Sequence, residues 1–372
     1  MPTVEESAGA PGAQPGERES ARGAGVSRNG AARTAAGATP RNRRAQPLVL
    51  DWKSRAIFLV MVAALHAASL LPDFILYPIG IAGGWLGWVL DRRHVRIGMR
   101  NLEVAFPERS EAERSRILRA SYINLGRSGA EFVRLGGFFY RRLGKRVSYH
   151  RYSYWKELGD RYPGKGMLIL TAHFGNFELL APAHALQGHP ISLVHHTQRF
   201  LAGDALVSFV RERTGVEIIR KHAAARAVLR ALASGGVVGI PFDQNAKRSE
   251  AIFVPFFGEP AATASGLARL AMISGAPILP VFLVREPDMR SHRIDIGDEV
   301  PVQRSGDLKA DLVENTRRCV KVVEDIVRRY PEQFLWTHRR FRTRPRGMAP
   351  IYDWEVRSRR TSDRRPAPPP AP

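Results

Sequence analysis

The stretch Met167–Leu180, MLILTAHFGNFELL, constrains the fold more than any other part of the chain. Met167–Leu170 is a short, unbroken apolar run, the composition of a strand buried on both faces. After Gly175, the residues Phe177, Leu179, Leu180, Ala183 and Leu186 recur at the spacing of one helix face. A strand, a turn and a helix in that order belong to a sheet covered by helices, with the turn at the carboxyl edge where such sheets place ligands. His173 falls just past the strand and Glu178 in the first helical turn. An imidazole there can accept a proton, and a carboxylate one turn away can fix its tautomer and stabilise the imidazolium.

Downstream, strand-like and helix-like stretches alternate. Ile191–His195, Val216–Ile219, Val237–Phe242 and Ile278–Val284 read as strands. Asp204–Arg213, Ala223–Ala233, Ala261–Ser274 and Leu308–Arg329 carry helical periodicity. The pattern predicts an α/β fold with a largely parallel central sheet flanked by helices. Upstream, Val95–Gly136 reads as two amphipathic helices split near Pro107, the second starting at Ser110 with Glu111 and Glu113 in its first turn.

Two apolar runs precede these helices, Ala56–Leu71 and Phe74–Leu90. The first is about 24 Å long as a helix, against about 30 Å for a bilayer core. One spanning helix, a shallow hairpin in one leaflet, and buried core helices all fit that length. Trp85, Trp88 and the flanking Arg92 and Arg93 favour a membrane anchor. The domain reading is a basic disordered tail over 1–47, a membrane-associated segment over 48–92, an α/β domain over 93–347, and a disordered tail over 348–372. The two tails are too poor in large apolar residues to offset their chain entropy.

The formal net charge is +22, which favours acidic partners such as an anionic membrane, acidic proteins or phosphorylated substrates. Nucleic acid is a weaker fit, because the charge is heaviest in the tails and no recognition motif is present. A single cysteine, Cys319, excludes an internal disulfide and a zinc site built of several cysteines. No metal site is expected from His173, His184, His189, His195 and His196, since none forms the H-E-x-x-H pair. Nor does a G-x-S-x-G elbow lie near His173, so a base acting on the substrate's own hydroxyl fits better than a serine nucleophile.

Four further places can carry chemistry, and each has a plainer reading. Arg211 and Arg213 end a helix, where they can clamp a phosphate or simply oppose the helix dipole. Asp243-Gln244-Asn245 follows an apolar strand, as a site or as a solvated turn. Phe253–Thr263, FVPFFGEPAAT, contains Phe256, Gly258 and Thr263. It reads as an acyl-channel lining with an anion-binding helix start, or as a packed core loop. His338–Arg346, with Arg339 and Arg340, is a basic run that binds phosphate or is merely solvated.

HFGNFE at His173–Glu178, FDQN at Phe242–Asn245, FVPFFGEPAAT at Phe253–Thr263 and WTHRRFRTRP at Trp336–Pro345 occur in this order. Together with RNLEVAFPERSEAER at Arg100–Arg114, they resemble the bacterial lipid A late acyltransferases, part of the lysophospholipid acyltransferase superfamily. The resemblance runs from about Ala56 to Gly347. It implies that 93–347 is an acyltransferase catalytic domain, with His173 and Glu178 as a His-x4-Glu base dyad. It implies substrate-binding roles for Arg211 or Arg213, Asp243, Asn245, Phe256, Gly258, Thr263, Arg339 and Arg340. Asp243 is expected to hold Arg211 or the acceptor. The implied donor is acyl carrier protein or acyl-CoA, and the acceptor is a phosphorylated membrane glycolipid. The implied place is the cytoplasmic face of the inner membrane, and no cofactor is implied. One departure bears on the acceptor: where the family often has Tyr-Arg-Pro, this chain reads His195-His196-Thr197-Gln198-Arg199. Acyl transfer to another lipid, such as a phosphatidylinositol mannoside or a lysophospholipid, and a membrane-tethered basic binding protein are the alternatives.

Overall fold

Among the described residues seven strands form one sheet, in the order Val147–His150, His292–Ile296, Ile278–Arg285, Met167–Thr171, Val237–Pro241, Ile191–His195 and Val216–Arg220. The computed structural model describes residues 49–220, 224–352 and 354. The expected tail over 1–47, Ala223 and the chain beyond 354 lie outside the described residues. The central strands are β2 (Met167–Thr171), β3 (Ile191–His195), β4 (Val216–Arg220), β5 (Val237–Pro241) and β8 (Ile278–Arg285). All five run parallel, as their uninterrupted apolar runs require. Beyond them, β9 (His292–Ile296) turns back antiparallel to β8, and β1 (Val147–His150) pairs parallel to β9. These two strands were not legible as strands, since HRIDI and VSYH are short and mixed in polarity.

Alternate residues of β2 feed opposite layers. Leu168 and Leu170 pack in one core with Phe334, Trp336 and α11 (Leu308–Arg329). Met167 and Ile169 pack in another with Leu179 and Leu180 of α7 (Phe177–Leu186). The sheet is thus covered on both faces. The chain also contains a separate hairpin, β6 (Ala251–Phe256) with β7 (Glu259–Ala264). Ala261–Thr263 therefore lies in a strand, and the helix read from Ala261 begins only at Gly266, as α10 (Gly266–Ser274). Alanine runs suit either state, and here the ladder to Ala251–Val254 decides.

The chain stays packed past Gly347: Ile351 and Tyr352 are buried, and the Tyr352 hydroxyl donates to Asn101 at 2.6 Å. The segment read as a tail from 348 thus contributes two core residues. They were missed because only isolated apolar residues mark them within a basic, Pro-rich background.

The amino-terminal helices are α1 (Trp52–Ser69), α2 (Asp73–Leu90), α3 (Arg92–Ala105) and α4 (Glu111–Gly136). Helix α4 opens with a capping box between Ser110 and Glu113. Helices α1 and α2 form a hairpin whose turn is tied down by Arg134, which binds Asp73 and the Ser69 and Leu71 carbonyls. They are not core helices: Trp52, Leu59, Val60, Phe74, Ile79 and Leu90 are exposed. Among the described residues, α2 is the one helix long and apolar enough to cross a membrane.

Helix α2 docks on α4 through glycines. A methyl group on Gly126 would sit 2.1 Å from the Gly80 carbonyl oxygen, far inside contact distance. Helix propensity alone would make Gly126→Ala stabilising by about 1 kcal/mol. The backbone contact reverses that sign, and a loss of about 1–3 kcal/mol is expected. A melting temperature raised by Gly126→Ala would contradict the close α2–α4 packing.

Candidate active site

His173 and Asp243 meet because β2 and β5 are neighbours in register. Thr171 stands opposite Pro241, so the residues two positions past each strand leave the sheet side by side. The Nδ1–H of His173 donates to Asp243 Oδ1 at 2.9 Å, and its backbone N–H donates to the same oxygen at 3.1 Å. A carboxylate only accepts, so this contact fixes the Nδ1–H tautomer and puts the lone pair on Nε2, where it accepts from the Gln244 amide. The Nε2 edge faces Gln244, whose amide lies 3.3 Å away on an exposed side chain. Asp243 is buried, whereas the His173 side chain keeps 21% exposure, and the group over Nε2 is the exposed Gln244 side chain.

The electrostatics follow from that pairing. Burial alone would lower the His173 pKa, but the Asp243 carboxylate, and then Glu178, outweigh it and raise it above the ordinary imidazole value. Burial alone would raise the Asp243 carboxyl; the adjacent His173 outweighs it and holds the pKa low.

Glu178 is engaged elsewhere. Arg211, in α8 (Leu201–Arg213), grips its carboxylate with Nε at 3.0 Å and Nη2 at 2.8 Å. Among the described residues no hydrogen bond joins Glu178 to His173. The expected partners are exchanged: Asp243 holds His173, and Glu178 holds Arg211. Sequence spacing placed Glu178 near the imidazole, but strand register gives Asp243 the shorter reach. Glu178 still acts on His173 through its charge.

The turn from His173 to Asn176 is fixed from beneath. Gly175 adopts φ +59, and a side chain there would strike the Leu283 carbonyl at 1.8 Å. Its N–H donates to the Gln333 carbonyl at 2.8 Å. Asn176 caps α7 by accepting from the Leu179 N–H at 3.1 Å, and its amide donates to buried Glu131 at 2.7 Å. Glu131 receives both terminal nitrogens of Arg285 at 2.6 and 2.8 Å and His292 at 3.0 Å. Burial would raise the Glu131 carboxyl, but His292 and Arg285 hold it at about 2.

The remaining candidates serve the scaffold more than the opening. Asn245 accepts from the Thr343 N–H at 2.9 Å, and its own N–H donates to His338 Nε2 at 2.9 Å. Burial pushes His338 down to about 4, which keeps it a neutral acceptor. Arg340 is buried and donates to the Ala262 carbonyl at 2.8 Å and to Thr263 at 2.6 Å. Arg339 is half-buried beside it. Phe256 is buried among Phe257, Phe334 and Phe341, so it packs in the core. Gly258 makes the hairpin turn at φ +80. Arg213 donates to the Gly136 carbonyl at 3.1 Å and lies 3.0 Å from His66, joining α1 to α4 away from His173. Gln244, read with Asp243 and Asn245 as a candidate site but given no role of its own, is the residue of the FDQN string whose amide reaches His173 Nε2. A separate cleft of about 590 Å³ between α11 and the β1–β9 edge shares no residue with the His173 corner.

Comparison with known proteins gives the family of the chain. Residues 47–343 match the family described as bacterial lipid A biosynthesis acyltransferase. The chain is 30% identical over 284 residues to the lipid A biosynthesis lauroyltransferase of Escherichia coli (strain K12), covering 76% of this chain and 90% of that one. It is 28% identical over 283 residues to the palmitoleoyltransferase of the same organism, covering 76% and 90%. To the myristoyltransferase of that organism it is 27% identical over 290 residues, covering 77% and 87%. The chain belongs to the bacterial lipid A biosynthesis acyltransferase family, and it is an acyltransferase.

Proposed function

We propose that the protein moves a fatty acyl chain from a thioester of acyl carrier protein or coenzyme A to a hydroxyl of a lipid A precursor, with His173 as the base. The observation that carries this reading is the Nδ1 contact to Asp243, which puts the lone pair on Nε2, beside the exposed Gln244 side chain. His173 Nε2 takes the hydroxyl proton as the oxygen attacks the thioester carbonyl carbon. The tetrahedral intermediate collapses, the C–S bond breaks, and the thiolate leaves with the proton from His173. The products are an ester and a free thiol. Asp243 stabilises the imidazolium in between. Glu178 holds Arg211, whose remaining N–H groups supply charge to the oxyanion or to an acceptor phosphate.

The α1–α2 hairpin lies in the cytoplasmic leaflet of the inner membrane with its exposed apolar residues in lipid, which brings the acceptor to the base. The +22 charge draws an acidic carrier protein and anionic lipid toward the enzyme. Part of the basic run is not free for that task, because Arg340 and Arg344 are buried and bonded within the protein.

The test is incubation of the purified full chain with labelled acyl thioesters and a phosphorylated lipid A precursor in mixed micelles. Label should appear in the lipid with one thiol released per ester formed. Thiol release without lipid labelling, or transfer to a lysophospholipid in preference, would contradict the reading.

A further inference from the structure

Arg211 is held from two sides. Glu178 takes two of its N–H groups, and a third, on Nη1, reaches His195 Nδ1 at 3.0 Å. His195, at the end of β3, is buried. Its Nε2 lies 2.7 Å from Asp204, which is wholly buried in α8. Asp204 also accepts from the Gln198 N–H at 2.9 Å and from Arg220 at 3.1 Å.

The proton positions follow from donor and acceptor capacity. An arginine cannot accept, so His195 Nδ1 must carry the lone pair. A carboxylate cannot donate, so His195 Nε2 must carry the proton. Both demands are met by one neutral tautomer, and burial favours the neutral ring as well. Two carboxylates, Glu178 and Asp204, then balance two guanidiniums, Arg211 and Arg220. A solvated helix end would need none of this arrangement. Its effect is to orient the arginine whose other side grips Glu178, the second carboxylate whose charge acts on His173.

We propose that His195, locked in one tautomer by Asp204, is a positioning residue that holds Arg211 in place for the acyl-transfer step. This rests on the catalytic reading given above.

Steady-state assays of three variants test it. His195→Leu keeps the bulk and removes the acceptor; kcat should fall about 10–100-fold, the range for groups that orient a working residue, with KM for both substrates little changed. His195→Asn offers an amide oxygen near the Nδ1 position and should recover most of the kcat. Both should melt near the wild-type temperature. Wild-type kcat in His195→Leu, or equal losses in Leu and Asn variants of equal stability, would overturn the proposal. If His195→Leu does not fold, Asp204→Ala decides: no acceptor remains for His195 Nε2–H, so the lock is lost and kcat should fall with KM unchanged, and an unchanged kcat would overturn it. Absence of acyl transfer by the wild-type chain would instead overturn the catalytic reading.

Discussion

Replacing His173 by alanine is expected to leave a folded protein whose turnover is lower by about 10²–10⁴, the usual contribution of a positioned base. The fold should survive because Asp243 keeps the His173 backbone N–H as a donor and stays in its buried seat. Two neighbouring imidazoles are committed elsewhere. His195 has both nitrogens occupied, by Arg211 and Asp204, and His338 is tied to Asn245. Turnover by the purified variant, compared at matched thermal stability, is the measurement. A rate equal to wild type would remove His173 from the chemistry.

The largest stability effect should come from Glu131→Ala. Glu131 is fully buried and is the anion for Arg285, which is itself buried between α4 and β8. Removing the carboxylate strands a guanidinium away from water, with an expected loss of about 3–5 kcal/mol. The same carboxylate holds Tyr77 of α2 and Asn176 at the head of α7. One residue thus joins the amino-terminal hairpin, strands β8 and β9, and the turn that carries His173. Denaturant unfolding should show the midpoint shifted strongly downward. A shift worth less than about 1 kcal/mol would mean that the buried pair is poorly formed, since breaking such a pair leaves a charge without a partner.

How far the sequence discloses this protein differs from element to element. The helix over Leu308–Arg329 and the strand over Ile191–His195 have the bounds their periodicity predicts, because each buries one continuous apolar pattern. The Ser110 capping signal is equally local. What escaped depends on partners distant in the chain. Strand β9 is a strand because β8 and β1 flank it, and 259–264 is one because 251–256 lies alongside. The site divides in the same way. His173 and Asp243 were both visible at strand ends, yet their contact depends on β2 lying next to β5, which no spacing encodes. Asn245, Thr263 and Arg340 looked chemical by residue type, but their hydrogen bonds are made to neighbouring loops and strand β7.

The pH dependence of kcat/KM in Asp243→Asn tests most directly whether His173 is the base and Asp243 its support. In the wild type, activity requires neutral His173, whose pKa is raised, so the acid limb should lie above the ordinary imidazole value. Without the carboxylate, burial remains and acts in the opposite direction, so the acid limb should move to lower pH while the maximal rate falls. An acid limb unmoved in Asp243→Asn, or moved further by Glu178→Gln, would contradict the assignment of Asp243 as the group that holds the base.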